Sequence, residues 1–142
     1  MGIKAYIRKI NYYETDKMGI THHSNYVRFM EEARIDFLKQ IGCGYERWEN
    51  DGIASPVIHI ECDYKRPTTF GDEIAIKVEI VEYKRMTLTV DYTMVNRTSG
   101  ETVFTAKSHH CFVNADGRPI ALSRAYPEYD EILKSHLLKN GE

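Results

Sequence analysis

The chain has 142 residues, 42% hydrophobic and 11% aromatic, which suits one packed core and a single domain spanning 1–142. A net charge of −2 and a pI near 6.3 supply no global basic field, so nucleic acid is not an expected partner. Three cysteines without short spacing, Cys43, Cys62 and Cys111, argue against a disulfide framework or a cysteine metal knuckle and fit a reducing cytoplasm.

The opening "MGIKAYIRKI" lacks the apolar run of a signal peptide, and no stretch is apolar for long enough to cross a membrane. Residues 3–13, rich in Ile and Tyr, read as a strand. The loop "TDKMGITHHSNY", residues 15–26, follows. From Asn25 to Ile41 the apolar residues Tyr26, Met30, Ala33, Phe37 and Ile41 recur at steps of three and four, a helix stripe widened by Val27 and Leu38. Ser24 or Asn25 is the expected N-cap, and Gly42 or Gly44 the stop. Residues 45–50 add a short helical turn.

Beyond this the period becomes two. Ile58, Ile60, Cys62 and Tyr64 alternate with polar residues. So do Ile74, Ile76, Val78 and Ile80, and then Leu88, Val90, Tyr92 and Met94. A further strand over 102–113 puts Phe104, Ala106, His110 and Phe112 on one face. The breaks "KRPTTFGD", "YKRM", "NRTSGE" and "NADGRP" are turn-like, and such short connections favour antiparallel pairing. Ser123 and Pro127 point to a last helix over roughly 124–138. The order predicts an α+β fold, a curved antiparallel sheet wrapped around one long central helix. Such a unit leaves an apolar edge or face open, which favours a homo-oligomer.

Asp16 is an ordinary turn former by itself, and His22 and His23 are ordinary polar loop residues. Their combination with a helix start reads differently. The first amides of a helix lack internal acceptors and favour negative charge. Amides near His23 and Ser24 would serve an oxyanion, and a carboxylate held opposite would attack a carbonyl or activate water.

The run "INYYETDKMGITHHSNYVRFMEEAR" resembles the signature of the hot-dog-fold acyl-CoA thioesterases, in the 4-hydroxybenzoyl-CoA thioesterase and YbgC-like branch. The matching positions are Ile10, Thr15, Asp16, Gly19, Ile20, His23, Tyr26 and Met30. Lys9 and Thr21 depart from it, at positions where Gln or Arg and Val are usual. "YKRPTTFGDEI" resembles the family's next strand turn, and the resemblance covers roughly residues 3–115. It implies that Asp16 is the catalytic carboxylate, as nucleophile or general base. It implies that the backbone N–H at His23 polarises the thioester carbonyl, with the imidazole contributing, and that Tyr12 belongs to the active site. Gly19, Ser24 and Tyr26 are assigned to substrate binding, with Gly19 giving the loop its bend. No role falls to His22 beyond a structural or solvent-facing one.

The resemblance also implies basic residues for the nucleotide of CoA. Lys84 and Arg85, in a strand turn, are the candidates, meeting it across a subunit boundary; Lys65 and Arg66 are read as solvated. Glu31 and Arg34, one helical turn apart, are read as a structural pair. Adjacent strand residues such as His109 and His110 face opposite ways, so no metal and no cofactor is expected. The expected substrate is an acyl-CoA or acyl-carrier-protein thioester, and the expected assembly a cytoplasmic homodimer or homotetramer. A non-catalytic acyl-thioester-binding or carrier-protein-interacting module is the alternative. A hot-dog dehydratase ranks lower, since no proline stands near the histidines and the acid precedes them.

Overall fold

A computed structural model describes residues 2–138. Five strands form one antiparallel sheet: β1 (Tyr6–Lys9), β2 (Val57–Tyr64), β3 (Glu73–Tyr83), β4 (Thr87–Asn96) and β5 (Thr102–Cys111). Their spatial order is β1-β3-β4-β5-β2. The helices are α1 (Ser24–Gln40), α2 (Tyr45–Asn50), α3 (Leu122–Ala125) and α4 (Pro127–Ser135).

The stripe of α1 lies against the sheet as its spacing predicts. Tyr26, Met30, Ala33, Phe37 and Ile41 are all buried, beside Ile74, Ile76, Val78 and Ile80 of β3 and Leu88, Val90, Tyr92 and Met94 of β4. Phe29 joins them, fully buried, one position the stripe did not contain, whereas Val27 is exposed at 42%. The Phe29 ring also carries the Arg8 guanidinium 4.6 Å from its centroid. Truncating such a buried Phe costs about 3–5 kcal/mol. The helix stops where Gly42 takes φ +92, and the Cys43 N–H donates to the Leu38 carbonyl at 2.8 Å.

Several expectations are corrected in detail. The first strand spans only Tyr6–Lys9, because Tyr12–Glu14 turns into a 3-10 helix. Neither Ser24 nor Asn25 is the N-cap: His23 holds that position and Ser24 is the first helical residue. The last helix is two pieces, since Pro127 starts a new one at its first turn. β2 does not bury an alternating face. It is an edge strand, and Val57, Ile58, Ile60 and Tyr64 are all exposed. Arg34 does not pair with Glu31 but turns inward, its Nη1 donating to the Tyr92 hydroxyl at 3.0 Å.

That contact begins a buried polar chain. Tyr92 Oη lies 2.7 Å from Ser108 Oγ, which lies 2.7 Å from His110 Nε2. His110 Nδ1 is 3.3 Å from the Ser55 carbonyl oxygen. Arg34, Ser55 and His110 also line a cavity of about 890 Å³ along the flank of α1.

Candidate active site

The loop between β1 and α1 folds into a small hairpin of its own. The Asp16 N–H donates to the Ile20 carbonyl at 2.9 Å, Thr15 pairs with Thr21, and the His22 N–H donates to the Glu14 carbonyl at 2.8 Å. The turn closes through the Gly19 N–H on the Asp16 carbonyl at 2.9 Å, with Gly19 at φ +80. Only glycine adopts that backbone at little cost.

Asp16 is half-buried at the start of this turn. Its Oδ1 accepts the Met18 N–H at 2.8 Å, the bond expected of an Asp that initiates a turn. Oδ2 has no hydrogen-bond partner among the described residues. The turn-former role therefore engages one carboxylate oxygen and leaves the other unengaged.

A two-point ion pair anchors the loop from below. Arg8 Nη1 and Nη2 donate to Glu14 Oε1 and Oε2 at 2.9 and 2.6 Å, and Arg8 Nε donates to Glu32 at 2.8 Å. Burial pushes the Glu14 carboxyl upward, but the Arg8 hydrogen bonds, the Asn11 N–H and the charges of Arg8 and Arg28 together hold it below the usual range. The Glu14 carbonyl accepts a second bond, from Asn25 Nδ2 at 2.9 Å, so β1, loop and helix meet at one residue. Thr68 braces the other arm: its hydroxyl lies 2.6 Å from Thr21 Oγ1 and 2.8 Å from Tyr26 Oη.

At the helix start the two histidines divide the work. His22 Nδ1 accepts the Ser24 N–H at 3.2 Å and faces its hydroxyl at 2.9 Å. Ser24 is thereby committed to His22, which caps the helix from its side chain. The His23 carbonyl accepts the Tyr64 hydroxyl at 3.0 Å and the Tyr26 N–H at 3.3 Å. Its own N–H has no acceptor among the described residues, and neither ring nitrogen has a partner there. The His23 imidazole is exposed and stacks on His22 with centroids 4.3 Å apart.

The remaining sequence candidates are placed as follows. Tyr12 is exposed, its ring edge-on to Phe70 at 5.7 Å, and its hydroxyl has no partner among the described residues. Tyr26 is 3% exposed and stacks on Phe104, so it supports the loop from the core. Exposed Tyr12 and Phe70 form an apolar rim that sequence reading did not assemble, and Tyr13 and Met18 of the same stretch are exposed as well. Lys84 and Arg85 are not near the loop. The loop adjoins the start of β3, where the Ile10 N–H donates to the Asp72 carbonyl, whereas Lys84 follows its other end. Eleven strand residues, up to roughly 35 Å of extended chain, lie between them.

His109 and His110 do face opposite ways, His110 fully buried and His109 half-exposed. His109 instead meets His59 and Glu61 on the neighbouring strand.

The model of the thioesterase-like superfamily matches residues 10–135. A Bacillus subtilis (strain 168) protein, provisionally named acyl-CoA thioesterase YneP, is 31% identical over 121 residues, 85% of this chain and 88% of its own. The 1,4-dihydroxy-2-naphthoyl-CoA hydrolase of Thermosynechococcus vestitus is 25% identical over 109 residues, 76% of this chain and 74% of its own. The crystal structure of a DHNA-CoA thioesterase from Staphylococcus aureus superposes with a TM-score of 0.88 at 29% identity, covering 93% of this chain and 89% of that one. The shared architecture is the hot-dog fold.

Proposed function

The chain belongs to the thioesterase-like superfamily and is a thioester hydrolase, and we propose that it cleaves acyl-CoA with Asp16 as the catalytic carboxylate and the His23 N–H as the donor to the carbonyl oxygen. One observation carries this reading. Among the described residues, a carboxylate oxygen and a helix-end N–H without partners belong to the same braced hairpin and helix junction.

The hairpin ladder supports the spacing. Residues 14, 15 and 16 stand opposite 22, 21 and 20, so His23 follows the ladder three residue steps, roughly 10 Å, from the level of Asp16. An aspartate side chain reaching about 3 Å, then two contacts of about 3 Å each, fills that gap with a thioester carbonyl.

Two routes fit. In one, Asp16 takes a proton from water as the water oxygen attacks the carbonyl carbon, and the oxyanion collapses with C–S cleavage. In the other, Asp16 attacks first, the thiolate leaves, and water hydrolyses the resulting mixed anhydride. Either way the thiolate departs and takes up a proton, and free acid remains. Exposed Tyr12 and Phe70 offer an apolar lip for the acyl group or the pantetheine arm. That arm is common to CoA and carrier-protein thioesters. Aromatic acyl-CoAs are the first to test, since 1,4-dihydroxy-2-naphthoyl-CoA is the named substrate of a relative.

The reading includes a homo-oligomer. Edge strand β2 leaves its backbone unpaired on one side and exposes Val57, Ile58, Ile60 and Tyr64, so pairing with a second copy would cover it. A second copy could bring Lys84 and Arg85 to a CoA bound at this loop. Cytoplasmic residence is supported by three free thiols, Cys43, Cys62 and Cys111. No helix among the described residues is long and apolar enough to cross a membrane.

The test is thiol release from a panel of short, long and aromatic acyl-CoAs by the wild type and by Asp16→Asn. The substitution keeps size and removes charge, and the expected loss is about 10²–10⁴-fold in turnover. An equally active, folded variant would refute the role of Asp16. Wild-type binding of acyl-CoA without turnover would favour the non-catalytic alternative.

A further inference from the structure

The face of the sheet turned away from α1 carries a cluster that the hydrolytic reading does not use. On β5, Ser108 and His110 are buried toward the core, so Lys107 and His109 point to the other face. Register pairs His109 with His59 of β2, and Glu61 stands two residues along on the same face as His59. The Glu61 Oε2 is 3.6 Å from His59 Nε2 and 3.5 Å from His109 Nε2. All three ligand-capable atoms lie within 4.8 Å of one another.

We propose that His59, Glu61 and His109 form a surface site for one divalent transition metal ion of the zinc class.

Three observations support it. First, the two imidazole–carboxylate distances are too long for direct bonds and close to those between ligands of a shared ion. Charge-assisted hydrogen bonds are about 2.7–2.9 Å long. A tetrahedral zinc with ligands at about 2.0–2.1 Å separates neighbouring donors by about 3.3–3.4 Å. Second, His109 is oriented for ligation. Its Nδ1 lies 3.2 Å from the Thr89 hydroxyl on β4, which can accept an Nδ1–H, and in that tautomer the Nε2 lone pair is left on the side of Glu61. Third, the lysine opposite Glu61 is neutralised elsewhere. Lys107 stands opposite Glu61 in register, but its Nζ is 3.0 Å from Asp91 Oδ1.

The donors sit on paired strands rather than on a loop, so little ordering is required on binding. Two imidazoles and one carboxylate suit zinc or its first-row neighbours better than calcium or magnesium, which prefer oxygen alone. The fourth position faces solvent, because His59 and Glu61 are exposed.

Untagged protein stripped of metal is titrated with Co²⁺, followed by visible absorption, and with Zn²⁺, followed by calorimetry. The comparison is the double variant His59→Ala/His109→Ala, whose circular dichroism confirms folding. One ion per chain is expected in the wild type, with the strong absorption of four-coordinate cobalt, and none at this site in the double variant. Thr89→Val weakens binding about tenfold, as loss of a ligand-orienting hydrogen bond does. No saturable binding by the wild type, or equal binding by wild type and double variant, overturns the proposal.

Discussion

Arg8 and Glu14 close a two-point ion pair at 2.9 and 2.6 Å directly beneath the hairpin that carries Asp16. Their side chains are 16% and 6% exposed, so neither charge is left to water. Removing one partner of a buried pair costs about 3–5 kcal/mol when the other is left uncompensated. Arg8 keeps Glu32 at 2.8 Å, so Glu14→Gln is expected to lose less, about 1.5–3 kcal/mol, in urea unfolding. Its turnover falls by up to about a hundredfold as the loop loosens, the scale of a 1 Å misplacement. Wild-type turnover in a destabilised Glu14→Gln would show that the loop holds its shape without this anchor.

The Tyr12 hydroxyl makes no intramolecular bond among the described residues, while the ring rests against Phe70. Tyr12→Phe keeps the ring contact and is expected to leave Tm unchanged. If the hydroxyl serves the substrate, kcat falls about 10- to 100-fold, the worth of one hydrogen bond to a charged group. Unchanged kinetics would confine Tyr12 to the apolar rim.

Lys84 and Arg85 lie at the opposite end of β3 from the loop, and the Lys84 ammonium makes a loose 3.7 Å contact with Glu82. If they meet CoA phosphates from a second copy, Lys84→Ala/Arg85→Ala raises KM for acyl-CoA about tenfold with kcat intact, a loss of about 1.4 kcal/mol. A thioester of N-acetylcysteamine, which lacks the nucleotide, is hydrolysed equally by both proteins. Equal effects on both substrates would remove these residues from nucleotide binding.

Burial, with the nearby Arg34 charge, pushes the His110 imidazole down to about 4. The unfolded chain takes up this proton near pH 6.5 and the folded one only near 4. Stability is thus full above 6.5 and declines as pH falls to about 4, by roughly 3 kcal/mol in all. Glu14, held low, adds its own loss further down, as pH falls through its folded value. Urea midpoints between pH 7 and 4, taken as the range about these values, should slope in the wild type and flatten in His110→Asn. A wild type that is flat over this range would mean that His110 titrates normally.

Periodicity carried much of the architecture. The three- and four-residue steps of α1 and the alternation in β3 and β4 are local properties, and the structure keeps them. The place of β2 at the sheet edge is not local: Ile58 and Ile60 alternate like core residues, and only strand order exposes them. The same limit separated His59 from His109, fifty positions apart in sequence and adjacent by register. Lys84 is similarly remote from Asp16 because the length of β3 lies between them. The motif from Ile10 to Met30 was legible as a unit, yet His22 as a helix cap required its ring orientation, which no spacing encodes.

The buried chain from Arg34 to Ser55 has one consistent direction. A guanidinium only donates and a carbonyl oxygen only accepts. Tyr92 therefore passes its proton toward Ser108, Ser108 toward His110 Nε2, and the imidazole keeps its hydrogen on Nδ1, facing the Ser55 carbonyl. The fold thus selects a single tautomer of a neutral imidazole. Its nitrogen resonances become an internal gauge of native packing, distinct from the mixed tautomers of a solvent-facing histidine and lost when the chain unfolds.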